Sequence, residues 1–316
     1  MPVSIVLLVL GSALAHASWN AILKRCREPE HAVIGMMFLA AASGVLFAVV
    51  LRAPAPPLAS LAWCVASGVL EACYFVTLAR ALSRAPLGSV YTVVRGGALV
   101  VVWPISVLAL GEAITAARAI GTLLVVLGLV ATGAAPHRPA PGAFAASAAA
   151  PPREGAGAPN DGLPSEGAEA PRAGRPPAPL RSGIAVAALC ALFVGGYHLA
   201  YKLALSTGGE PAAVVAIALS TASLLNVTAL GARRAAAFAT ARSQPARLVV
   251  GGLLASFGFL VLLAAMKDAG AGVILTLRNT SILFAQVLAV ALGERPRRLG
   301  VLGAVLVTAG AVLLAH

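Results

Sequence analysis

HASWNAILKRCREP at residues 16–29 and HLAYKLALSTGGEP at residues 198–211 decide how this chain is read. Laid together they align His16 with His198, Trp19 with Tyr201, Asn20 with Lys202 and Glu28-Pro29 with Glu210-Pro211, all at an offset of 182. The offset continues well past this segment. Leu110-Gly111-Glu112 falls on Leu292-Gly293-Glu294, Gly121 on Gly303 and Gly128 on Gly310. Between these blocks ALSRAPLGSVYT (81–92) fits AMKDAGAGVILT (265–276) at an offset of 184, so a small insertion opens and then closes. One offset carried across so many apolar segments marks an internal duplication.

What is duplicated follows from composition. Of 316 residues 59% are hydrophobic and 11% charged, against roughly 25% charged in a soluble domain, which implies an all-α integral membrane protein. Spanning helices need roughly 20 mostly apolar residues. Ten segments qualify: 3–23, 32–51, 61–82, 87–110, 119–135, 183–204, 212–231, 248–266, 271–292 and 299–315. A β-barrel would show short alternating segments instead. The first segment has small residues at Ala13, Ala15 and Ala17, as a cleavage site would, but no basic stretch precedes it and the duplication requires it to be retained. Cys64, Cys73 and Cys190 lie within spans and Cys26 in a short loop, a placement that suggests apolar filler and neither a disulfide framework nor a zinc site.

The expected organisation is a first five-helix unit over 1–135, a disordered Pro/Ala/Gly-rich linker over 136–182 and a second five-helix unit over 183–316. Five crossings is an odd number, so the second unit must enter the membrane from the opposite side. The repeat is then inverted, an arrangement of secondary transporters whose sites lie near the midplane between repeats.

The formal net charge of +12 would suggest nucleic acid in a soluble protein. Here it follows topology. The odd-numbered loops carry sixteen Lys and Arg and the even-numbered ones only Arg52, Arg118 and Lys267. The positive-inside rule therefore puts the odd loops in the cytoplasm and both termini outside. The stretch ARRAAAFATARSQPAR, within the loop after the seventh segment, also suits anionic headgroups.

Two arginines interrupt spans at nearly equivalent repeat positions, Arg95 and Arg278. A helix-centre arginine costs about 3 kcal/mol on insertion scales, so it faces protein or water, not lipid. Helical spacing sets Ser12, His16 and Asn20 on one stripe, Ser67, Glu71 and Tyr74 on another, and Tyr91 with Arg95 and His198 with Lys202 as i, i+4 pairs. Gly96, Gly97 and Trp103-Pro104 permit unwinding or a kink beside Arg95, and the polar run Arg278-Asn279-Thr280-Ser281 permits a broken backbone. Each arginine has two readings: recognition of a carboxylate or phosphate by its fork of donors, or an ion pair with Glu71. Glu71 in turn either faces a cavity as a proton-coupling carboxylate or braces its helix in a salt bridge. Only one acid accompanies the cations Arg80, Arg95, Lys202 and Arg278 within spans, and a substrate anion would relieve the imbalance. His16 and His198 either relay protons or bond to carbonyls. Arg80 and Lys202 lie near helix ends, where they can also snorkel. Glu112 and Glu294 suit caps of the helices that follow them. Trp19, Tyr74, Tyr91 and Tyr201 either line the cavity or anchor at the interface. The glycine pairs Gly121/Gly128 and Gly303/Gly310 permit close packing, within the bundle or in a homodimer.

Ten spans in two units, a Leu-Gly-Glu turn before the last helix of each, and HASWNAILKR closing the first helix resemble the EamA branch of the drug/metabolite transporter superfamily. The HASWN opening looks most like a phosphonate-associated subgroup. The resemblance covers nearly the whole chain except the linker, which is not a usual family feature. It implies a central cavity lined by the first, third, fourth, sixth, eighth and ninth segments, and termini in the cytoplasm, opposite to the charge count. The chain then reads as a secondary active transporter in the cytoplasmic membrane that moves a small anionic or zwitterionic metabolite, with proton coupling or exchange. Its expected substrate-binding residues are Arg95, Arg278, Glu71, Tyr74, Tyr91, Asn279, His16, Trp19, Asn20, His198 and Lys202. The alternatives are a flippase for a lipid-linked anion and a non-transporting scaffold or receptor. No serine, cysteine or metal-ligand motif accompanies His16, His198 and Glu71, so an enzyme is not expected. No P-loop is present; neither cofactor, metal nor nucleic acid is expected, and the partners are substrate and lipid.

Overall fold

The structure, a computed structural model, describes residues 3–110, 115–134, 180–268, 278–295 and 298–314. Gly111-Glu112 and the 136–182 linker, apart from its last three residues, lie outside them. All regular elements among the described residues are helical. They are α1 (Val3–Lys24), α2 (Pro29–Val50), α3 (Leu58–Arg84), α4 (Leu87–Leu110), α5 (Ala116–Ala134), α6 (Leu180–Ser206), α7 (Pro211–Ala229), α8 (Arg234–Ser243), α9 (Pro245–Asp268), α10 (Ser281–Ala291) and α11 (Arg298–Leu314). A single 3-10 turn, Gly231–Arg233, leads into α8.

Among the described residues six helices, within α1, α2, α3, α6, α7 and α9, are long and apolar enough to cross a membrane. The 22 residues of α1 reach about 33 Å at 1.5 Å per residue. Shorter apolar helices over 87–101, 119–132, 281–291 and 298–313 coincide with the other four expected segments. The chain is a multi-pass membrane protein, and its surface agrees: Leu7, Phe38, Val49, Leu123, Leu192, Leu224, Leu253, Phe257 and Val287 point outward, a pattern that suits lipid and would be a liability in water. α2 and α7 begin at Pro29 and Pro211, where proline's missing N–H costs nothing.

Three boundaries differ from expectation. The basic stretch after α7 is not a plain loop, because its alanines let ten residues close into α8. α6 starts at Leu180, so residues 180–182 belong to a helix and not to the linker. The third difference concerns the polar breaks: α4 runs unbroken through Gly96, Gly97 and Pro104, whereas after Arg278 residues 279–280 form a turn before α10 restarts at Ser281.

Packing crosses between the two halves. α3 lies on α6 and α1 on α9; α3 crosses α7 and α2 crosses α9; α4 meets α6 and α1 meets α10; α2 faces α7 and α5 faces α11. Each contact thus has a counterpart with the halves exchanged. Close approach is enforced by small residues. A methyl on Gly68 would lie 2.6 Å from Ala218 O, and one on Gly252 would lie 2.7 Å from Met36 O. These two glycines stand 184 apart, the offset of the middle repeat block. On α5 and α11, Gly128 would meet Gly303 O at 2.6 Å and Gly310 would meet Gly121 O at 2.5 Å, so the glycine faces are consumed inside the chain.

Candidate functional site

The buried polar side chains collect where α1, α3, α4, α6, α9 and the turn before α10 converge. Arg278 is fully buried. Its Nη2 donates to His16 Nδ1 at 3.1 Å, and Nη1 donates to Ser12 Oγ at 3.5 Å and Gly258 O at 3.4 Å. Its guanidinium carbon stands 5.4 Å from the centre of the Phe259 ring. Ser12 Oγ also donates to Gly258 O at 2.6 Å. His16 Nδ1 further accepts from Trp19 Nε1 at 3.1 Å. Since Trp and Arg offer only donors, Nδ1 is the acceptor and the ring hydrogen belongs on Nε2.

Arg95 is also buried, but its Nη2 has no partner and its guanidinium faces the ring of Tyr91 at 5.8 Å. Glu71, fully buried, accepts from the Tyr201 hydroxyl at 2.6 Å through Oε1 while Oε2 has no partner. The Glu71–arginine ion pair considered from sequence is therefore not formed among the described residues. The rings join these groups into one cluster: His16 lies 6.0 Å from Tyr91 and 5.8 Å from Phe259, Phe259 lies 6.0 Å from Tyr197 and 6.1 Å from Tyr201, and Tyr197 lies 5.3 Å from Tyr74 and stacks on His198 at 4.3 Å.

Ten of the eleven residues expected from sequence meet here. Trp19, Tyr74, Tyr91 and Tyr201 are interior and not interfacial. Asn20 donates to His16 O at 2.7 Å and leaves Oδ1 bare; Asn279 Nδ2, Arg278 Nε, Tyr91 Oη and His198 Nε2 are likewise buried without partners. Lys202 is the exception, because it points outward from α6. Arg80 too leaves the count of buried charges, since it is half-exposed and pairs with Glu30 at 3.5 Å. Glu294 also bonds to the start of α4. It accepts from Leu87 N at 2.9 Å, the first residue of α4, and lies 3.9 Å from Lys24 Nζ. Cys26, Cys64 and Cys190 are buried and free, whereas Cys73 faces outward.

Sequence reasoning missed Tyr197 and Phe259, which hold the cluster together. Tyr197 was within reach, since it stands four residues before Tyr201 on the same face. Phe259 carries no such signal in an apolar run. Gln286 was also missed; its Nε2 donates to Gly88 O and to Thr92 Oγ1, both at 3.3 Å, tying α10 to α4. Among the described residues no group of His, Cys, Asp or Glu is arranged to hold a metal ion.

Residues 181–315 match the EamA-like transporter family. No curated protein matches the chain. A crystal structure described only as that of a protein shares the fold, with a TM-score of 0.60 at 17% identity, over 98% of this chain and 95% of the other.

Proposed function

We propose that this chain, whose residues 181–315 match the EamA-like transporter family, is a secondary active transporter of a small anionic or zwitterionic metabolite, working in the cytoplasmic membrane. The observation that carries the substrate class is the pair of buried guanidiniums, Arg95 and Arg278, neither of which has a carboxylate partner among the described residues. A buried charge is retained when something neutralises it, and a carboxylate or phosphate supplies both the charge and acceptors for the fork. Arg95 is the better anchor of the two, because both terminal nitrogens of Arg278 are already directed at His16, Ser12 and Gly258.

The reading takes the chain as two five-helix units in inverted orientation, 1–135 and 183–316. The exchanged packing of α3 on α6 and α1 on α9, and the matched crossings at Gly68 and Gly252, support it. Alternating access then consists of rocking one unit against the other around the polar cluster. The linker is a tether between the units, with no part in transport.

Counterflow in proteoliposomes with a panel of carboxylates, amino acids, phosphonates and sugar phosphates tests this. Saturable exchange of an acidic compound, lost by at least tenfold in Arg95→Gln, is the expected result. Undiminished exchange in that variant removes Arg95 from the site, and no exchange of any compound favours the flippase or scaffold instead. Deleting 140–178 is expected to leave flux intact; a scaffold would lose its partner.

A further inference from the structure

The two guanidiniums account for only one end of a ligand. Glu71 is fully buried, its Oε1 is oriented by the Tyr201 hydroxyl at 2.6 Å, and its Oε2 has no partner. No lysine, arginine or histidine lies within ion-pair distance of it among the described residues. Such a carboxylate is costly unless a cation reaches it. Its partner Tyr201 belongs to an aromatic group, with Tyr197 of α6 5.6 Å from the Tyr201 ring and Phe259 of α9 against both rings. A buried carboxylate oxygen beside an aromatic cluster is the chemistry that recognises an ammonium group. Arg278 lies over the same Phe259 ring, 5.4 Å from its centre, so the guanidinium and the carboxylate are joined through one aromatic cluster.

We propose that Glu71 Oε2 is an ammonium subsite and that the transported solute carries one amine and two acidic groups. The inference rests on the transporter reading above and specifies its substrate. Charge sets the number of acids: among the described residues the buried Asp, Glu, Lys and Arg side chains are Arg95, Arg278 and Glu71. With all three ionised, a solute of net charge minus one brings the cluster to neutrality. A simple monocarboxylic amino acid leaves one guanidinium unmatched, and a plain diacid leaves Glu71 unmatched. Tyr201 is the positioning residue that aims the carboxylate.

Matched pairs that differ only in the amine test this: L-aspartate with succinate, and 2-aminoethylphosphonate with ethylphosphonate, each labelled and measured in counterflow. Wild type is expected to exchange the amine-bearing member of a pair roughly tenfold faster than its partner, the scale of one lost charge pair. Glu71→Gln keeps an acceptor for Tyr201, and it is expected to lower that ratio about tenfold. Should Glu71→Gln not purify as a monodisperse protein, Glu71→Asp is the second variant, expected to keep a smaller preference for the amine. Equal exchange with and without the amine in wild type overturns the subsite while leaving the anion-transporter reading standing. So does a Glu71→Gln variant that slows both members alike. Absence of exchange with all four compounds overturns both.

Discussion

Arg95 and Arg278 occupy nearly equivalent positions in the two halves, yet their surroundings differ. Arg95 sits in the unbroken α4 with the Tyr91 ring beneath it and one nitrogen unpartnered. Arg278 stands before a two-residue turn and donates to three acceptors on α1 and α9. The same residue type thus serves two purposes. In one half the arginine stitches a backbone break to its neighbours; in the other it remains available. Among the described residues the cost is offset by three hydrogen-bond acceptors in one half and by a ring contact in the other. This comparison breaks most directly at the arginines themselves. Interhelical hydrogen bonds in membranes average about 0.6 kcal/mol and reach about 1.7, so Arg278→Gln is expected to destabilise the fold by about 2 kcal/mol. Arg95→Gln, which forfeits chiefly a ring contact, is expected to cost less than about 1 kcal/mol while abolishing exchange. Thermal unfolding in detergent, read beside counterflow, separates the two; equal destabilisation would mean Arg95 has partners of its own.

The histidines sharpen the contrast at the next scale down. His16 Nδ1 receives both Trp19 Nε1 and Arg278 Nη2, and His16→Leu leaves those two donors without it. A buried donor left unsatisfied costs about 1–3 kcal/mol. His198 bonds only within its own turn, Nδ1 to Val194 O at 2.7 Å, and its Nε2 is bare. His198→Leu is therefore expected to cost about 1 kcal/mol, the worth of one hydrogen bond, and a loss as large as that of His16→Leu would show that the stacked Tyr197 depends on it. The same thermal unfolding series decides between these outcomes.

The parts of this arrangement legible in the sequence are those fixed locally. Apolar runs closed by Glu28-Pro29 and Glu210-Pro211 give helices whose starts are set by proline stereochemistry, and i, i+4 spacing brought His16, Asn20, Glu71 and Tyr74 to interior faces. Partner choice is a different matter, because it depends on how helices are rotated against one another. Glu71 was free to meet an arginine by composition alone, but the α3–α6 packing sets Tyr201 against it. The break after Arg278 was foreshadowed by four polar residues in a row, whereas Gly96-Gly97 misled: glycines weaken a helix, yet Gly97 lies against α6 and Gly96 against Leu129 and Val307, packing that holds α4 helical. α8 was hidden by its charge, since arginines read as loop when their alanine neighbours are overlooked.

The smallest effects belong to the helix ends. Glu294 accepts from Leu87 N, at the start of α4, and stands near Lys24, which itself donates to Leu82 O and Ala85 O at 2.5 and 2.6 Å. One end of α1, the α3–α4 turn and the segment after α10 are thereby tied together. Glu294→Ala removes a capping acceptor, worth about 1 kcal/mol, and is expected to raise hydrogen exchange at the first turn of α4. Lys267 and Glu210 approach at 2.6 Å, but both side chains are more than a third exposed, and such pairs contribute roughly 0.2–1 kcal/mol or nothing measurable. A double-mutant cycle on Lys267→Ala and Glu210→Ala is expected to return a coupling under about 0.5 kcal/mol that fades with added salt. A coupling as large as that of the Glu294 cap would instead mean that both ends of the bundle are latched, and that the two halves differ at their centre alone.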